Sequence, residues 1–288
     1  MHRNLVNLMF IVAVLFVITA CVCQSDRDNA PSGTEPDKPS TNITKKESAP
    51  PAAGKDQGDF TVKHVDVVNS KYAEIDRQVR QEKLVEKAAE KLNKSLILPH
   101  DIELRTQDCK GTVNAFYDPN DESVTVCYEL MEHFFGVFKG NGASSEKAYD
   151  KMFDAVRFVF LHEIGHALIN TYKLPVTGNE EDAADRCSAY VNLEELGEEG
   201  VKAVLAAAEA FAIESKGGSP DKRNLADEHL LQEQRFYNSL CMIYGSNPGK
   251  YSDITPKYLP KERAVRCQSD YQRTSESWKN LLAPWRKK

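Results

Sequence analysis

The 288-residue chain is 41% hydrophobic and 28% charged, which is enough for one or two domains with a sizeable core. Its net charge is −6 and its Lys and Arg residues are scattered, which argues against a nucleic-acid partner, because phosphate binding needs a clustered basic surface. The short basic stretch Trp285–Lys288 reads as a solvated end.

The first 20 residues read as a secretory signal: His2 and Arg3, an apolar run from Leu8 to Ala20, then small residues. Ile18-Thr19-Ala20-Cys21 resembles a bacterial lipobox, which would make Cys21 the lipidated first residue of the mature chain. An ordinary signal peptide or an uncleaved anchor are the alternatives. The expectation is an exported lipoprotein of a bacterial cell envelope, facing the periplasm and attached to the membrane through its lipid. Residues 21–59 are rich in Pro, Ser, Thr, Asp, Lys and Gly, a composition that cannot offset the entropy of folding and reads as a tether. The folded body is expected over residues 60–288.

Within the body, Val62, Val65, Val67 and Val68 lie in a short β-like run. Tyr72–Leu98 carries apolar residues at helical spacing. Strands are expected at Ile102–Arg105, Thr112–Tyr117 and Ser123–Cys127, the last two joined by the Asp118-Pro119-Asn120-Asp121 turn. Beyond them the pattern is helical: Glu129–Phe138, Ser145–Thr171, a helix from after Gly178 to about Leu196, then Val201–Ser215, Leu225–Tyr244 and Pro260–Leu282. The fold class is α+β, a small N-terminal antiparallel sheet packed on a mostly helical body. Export favours disulfides. Cys109 with Cys127 would close the hairpin, and Cys241 with Cys267 would close a helix–loop–helix unit containing Gly245, Pro248 and Pro260. The absence of C-x-x-C spacing argues against cysteine-bound metal.

The chemistry concentrates at His162-Glu163-Ile164-Gly165-His166, inside a strongly apolar helix. Residues four apart share a helix face, so both imidazoles can reach one ion. Glu163 can lean over the open metal position and take a proton from water. Two His at the polar edge of an ordinary helix is the bland alternative. A third ligand is needed. Downstream, Glu181 and Asp185 share a face of the next helix, so Glu181 can bind the metal while Asp185 accepts the second N–H of a ligand His. Asp182 is the rival ligand, and simple capping of the helix start explains part of the acidity. Candidates for stabilising an oxyanion are His229, with Asp227 nearby, and Tyr190. His64, His100 and His133 lack partners at metal-ligand spacing.

The His-Glu-x-x-His helix followed by Glu-x-x-x-Asp resembles the gluzincin metallopeptidases, of which thermolysin is the best known. Asn114-Ala115-Phe116-Tyr117 resembles the edge strand with which such enzymes align peptides. Three blocks resemble a bacterial metallopeptidase family without an assigned function: Asn114–Leu130, His162 through Asp185, and Asp227-Glu228-His229 through Gln234-Arg235-Phe236-Tyr237. The resemblance implies a zincin-like fold, zinc as cofactor, and Asn114 and Ala115 as substrate-binding residues. The short His166–Glu181 connection departs from thermolysin.

The expected function is therefore zinc-dependent hydrolysis of a peptide bond in a peptide or protein substrate, with Glu163 as general base and His229 as a helper. The rival is a non-catalytic, zinc-containing, peptide-binding lipoprotein.

Overall fold

The computed structural model describes residues 54–217 and 227–288. The signal segment, Cys21, Cys23 and the tether as far as residue 53 lie outside the described residues, as does 218–226. The body's contacts begin slightly before Phe60, because Gln57 and Gly58 donate their backbone N–H groups to the Leu98 carbonyl.

Four strands form one sheet: β1 (Phe60–His64), β2 (Ile102–Gln107), β3 (Ala115–Asp118) and β4 (Ser123–Cys127), in the order β1-β2-β4-β3. The expected antiparallel sheet is a mixed one. β1 pairs β2 in parallel, β2 pairs β4 in parallel, and only the β3–β4 hairpin is antiparallel. The reason is connectivity: a helical crossover joins β1 to β2 and brings the chain back in the same direction, whereas a tight turn reverses it. β3 is therefore an edge strand. Val65–Val68, read as part of the first strand, lie outside it.

The expected helix Tyr72–Leu98 is two helices, α1 (Ala73–Glu82) and α2 (Leu84–Ser95), broken at Lys83, whose φ of 53° is left-handed. Then follow α3 (Tyr128–Gly140), α4 (Ser145–Tyr172), α5 (Glu180–Glu195) and α6 (Gly197–Glu214). α7 (Gln232–Ser246) and α8 (Lys261–Leu282) complete the body. α7 starts later than Leu225, since residues 227–231 are not helical. Ser144 caps α4 by accepting the Lys147 N–H, and Asn179 caps α5 by accepting the Glu181 N–H.

α4 is the axis of the molecule. It packs against α3, α5, α6 and β3, so its side chains are buried around nearly the whole circumference, including Phe158, Phe160, Ile164 and Leu168. Each such side chain contributes about 1.5–3 kcal/mol of burial. A second apolar cluster joins α6, α7 and α8 around Val204, Phe211, Ile243 and Leu259.

Both expected disulfides are present, Cys109–Cys127 and Cys241–Cys267, across 18 and 26 residues. In the chain-entropy model loops of this size give about 3 kcal/mol each. Gly245 lies against the Cys267 carbonyl where α7 meets α8, leaving no room for a Cβ. The basic C-terminus is not merely solvated. Arg286 donates to Glu195 and to the Tyr190 hydroxyl, Lys287 pairs with Asp56, and Trp285 stacks on Tyr172 at 4.3 Å. Among the described residues no helix is long and apolar enough to cross a membrane.

Candidate metal centre

His162 and His166 project from one face of α4 toward the first turn of α5. Their Nε2 atoms lie 3.1 Å apart, and Glu181 Oε2 lies 3.1 Å from the first and 3.3 Å from the second. The other nitrogen of each ring is held by a carboxylate. His162 Nδ1–H donates to Asp185 at 2.8 Å, and His166 Nδ1–H donates to Glu180 at 2.8 Å. With the Nδ1 positions holding protons, each Nε2 directs its lone pair at the shared point.

Three electron-pair donors within 3.3 Å of one another repel unless a proton or a metal cation lies between them. Tetrahedral coordination at about 2.0–2.2 Å would separate its ligand atoms by roughly 3.3–3.6 Å. The donor set therefore fits a small divalent metal. His229 also approaches, with Nε2 at 2.9 Å from Glu181 Oε2 and its ring stacked on His162. His162, Glu181 and His229 by themselves form a triangle within 4.8 Å, so His229 faces the same point. His162 and His166 are fixed by one rigid helix. The His229 side chain is 45% exposed and is steered by Asp227, which accepts both its backbone N–H and its Nδ1–H.

Glu163 stands beside the cluster. Its Oε1 is 4.0 Å from His162 Nε2, and its Oε2 accepts the Tyr117 backbone N–H at 3.0 Å. Burial pushes the Glu163 carboxyl above its ordinary range, against the pull of the neighbouring imidazoles. Burial also acts to raise Glu181, but the imidazoles of His162, His166 and His229 around it overcome that and hold the carboxyl well below the usual range. Asp185 likewise stays low despite burial, through the charge and hydrogen bonds of Arg235 together with His162.

The edge strand borders this cluster. Tyr117 turns its N–H away from β4 toward Glu163, so the alternation of an antiparallel pair puts the Ala115 N–H and C=O on the same open edge. Asn114 and Ala115 line clefts on both sides of the centre, of 540 and 650 Å³.

The remaining candidates separate cleanly. Asp182 accepts from Arg186 at 2.8 Å, so its carboxylate is engaged away from the cluster. The Tyr190 hydroxyl is held by Arg286, which removes it from contention. His64, His100 and His133 pair with Glu86, Glu122 and Glu214 respectively. Cys109, Cys127 and Glu129 also approach one another. Their sulfurs are consumed by the disulfide, and Glu129 accepts the N–H groups of Cys109 and Gly111. Sequence reasoning missed two residues, Glu180 and Arg235. Glu180 reads as helix capping, and Arg235 is 50 positions from the carboxylate it holds.

An α+β body that gathers His and carboxylate donors on two neighbouring helices defines a metal-ligating class of protein. The model of a family described as "Putative metallopeptidase" matches residues 64–282, most of the chain, and the chain belongs to that family. No curated protein and no solved structure matches it. Membership implies a metal cofactor and supports hydrolysis as the activity.

Proposed function

We propose that the protein is a gluzincin-like zinc peptidase with a zincin-like fold, in which His162, His166 and Glu181 hold the metal. The observation that carries this reading is the convergence of those three donors beside a buried, correctly held Glu163. Two imidazoles and one carboxylate are a donor set of catalytic zinc sites that keep a further position open. When bound, zinc supplies Lewis acidity for water and for the scissile carbonyl.

The chain's own residues do the rest. Ala115 offers its N–H and C=O to an extended peptide, which adds as a strand to the β3 edge. Glu163, held by the Tyr117 N–H, accepts the proton of the attacking water and delivers it to the leaving amine. Its burial raises its basicity, which suits a base that must later act as an acid. His229, steered by Asp227, donates to the oxyanion that develops on the carbonyl. Asp185 and Glu180 hold the two imidazoles. The lipobox-like Cys21 supports a bacterial envelope location on a lipid anchor, which mass spectrometry of the mature N-terminus would read.

Glu163→Gln keeps the shape of the side chain and removes its basicity. In a mixed peptide library, zinc-loaded wild type should cleave, and Glu163→Gln should keep its zinc while losing turnover by about 10²–10⁴-fold. Equal cleavage by both proteins would remove Glu163 as the base. No cleavage by either would favour the non-catalytic, peptide-binding alternative.

A further inference from the structure

On α4, Val159 lies one turn before Glu163, and past it the 540 Å³ cleft opens between α3, the end of α6 and the start of α7. Leu130, Phe134, Val159 and Phe211 form an apolar part of its wall. Among its polar residues, beside His133 and Gln232, is Glu214, the last residue of α6. Its Oε1 accepts from His133 Nε2 at 2.7 Å and its Oε2 accepts from Gln232 Nε2 at 3.2 Å. With its amide nitrogen turned to Glu214, Gln232 is left with a buried Oε1 that has no donor among the described residues. Among the described residues this part of the cleft thus carries a carboxylate whose one cationic partner is His133, next to an amide oxygen without a donor. The buried cation that also lines the cleft, Arg235, is already neutralised by two hydrogen bonds to Asp185.

Apolar walls beside an acceptor-rich patch complement a long aliphatic stem that ends in a cationic donor. We infer that this cleft is the subsite for a lysine or arginine side chain of the peptide substrate, read by the Glu214 carboxylate. The inference rests on the peptide-hydrolysis reading and names the substrate class of that site. A glutamate or aspartate side chain would meet Glu214 as a like charge. A neutral polar one would bury its groups against apolar walls with fewer partners.

The test uses the full zinc-loaded chain carrying Glu163→Gln, so that binding is read without turnover. The probes are fluorescent peptide pairs that differ only in arginine against citrulline, or lysine against norleucine. The basic member should bind about tenfold tighter, as expected for a charge-assisted hydrogen bond at a half-buried carboxylate. Adding Glu214→Gln should bring the ratio close to one. Adding Glu214→Lys should reverse the preference toward a glutamate peptide, a change that a merely structural Glu214 would not produce. Equal binding of both members, a ratio unmoved by Glu214→Gln, or no binding of any peptide would overturn the subsite. The two readings fail separately. Wild type that prefers basic peptides but cleaves none keeps the subsite and removes the peptidase, whereas wild type that cleaves basic and neutral peptides equally does the reverse.

Discussion

Arg235 grips Asp185 with two parallel hydrogen bonds, Nε to Oδ2 and Nη2 to Oδ1, each 2.8 Å long. Asp185 in turn accepts from His162 Nδ1 at 2.8 Å, and the Arg235 guanidinium lies over the Phe211 ring at 4.1 Å. A residue of α7 thereby fixes the tautomer and orientation of an imidazole on α4. The guanidinium also keeps Asp185 ionised in a site whose burial would otherwise protonate it.

Arg235→Lys keeps the charge but cannot make both bonds. Zinc affinity, measured by competition with a chelator, should fall about 10–100-fold, as it does when the partner of a ligand His is disturbed. Arg235→Met should also destabilise the fold, since breaking a buried ion pair costs about 3–5 kcal/mol. Unchanged zinc affinity in Arg235→Lys would show that the Asp185 contact does not govern His162.

Gly165 sets how closely α5 approaches the metal helix. A Cβ there would meet the Ala184 Cα and the Cys187 Cβ at 3.1 Å each. Gly165→Ala should therefore push α5 outward and carry Glu181 and Asp185 with it. Overpacking of this kind costs about 1–3 kcal/mol, visible as a lower urea midpoint. Zinc affinity should fall in the same variant. A fully stable Gly165→Ala with wild-type affinity would mean that the helices have slack at this point.

The pair of His133 and Glu214 gives a pH signature. The bond to Glu214 raises the His133 pKa above its ordinary 6.5, outweighing the opposing effect of burial. A raised folded pKa stabilises most below the unfolded value, and the contribution fades as pH rises through the folded value. The stability gap between wild type and His133→Gln should thus be full below about pH 6 and shrink above the unfolded value near 6.5. The exposed side of His133 keeps the effect small. A gap that widens with rising pH in urea titrations would contradict the pairing.

Much of this site was legible because its logic is local. Four-residue spacing on a helix is enough to pair His162 with His166 and to put Glu163 next to them. It is also enough to pair Glu181 with Asp185. The sequence leaves Glu181 and Asp182 as rivals, since adjacent residues on a helix differ by one rotation. In the structure Arg186 engages Asp182 one turn later, while Glu181 faces the two imidazoles. What escaped is non-local. The parallel pairing of β1 with β2 and β2 with β4 depends on where a crossover returns the chain, which alternation along a strand does not encode. The hold of Arg235 on Asp185 spans 50 residues and leaves no periodic trace. The apolar pattern starts α7 too early because Leu230 and Leu231 extend it ahead of Gln232, where the Leu231 N–H is taken by the Gln234 side chain.

The proposed centre is one ion shared by α4 and α5, so metal content is its most direct test. Purified protein should contain about one zinc per chain, and His162→Ala, His166→Ala and Glu181→Ala should each lose most of it. Asp182→Ala should keep it, because Asp182 is paired with Arg186 outside the cluster. Full zinc in the first three variants, or loss of zinc in Asp182→Ala alone, would contradict the proposed centre.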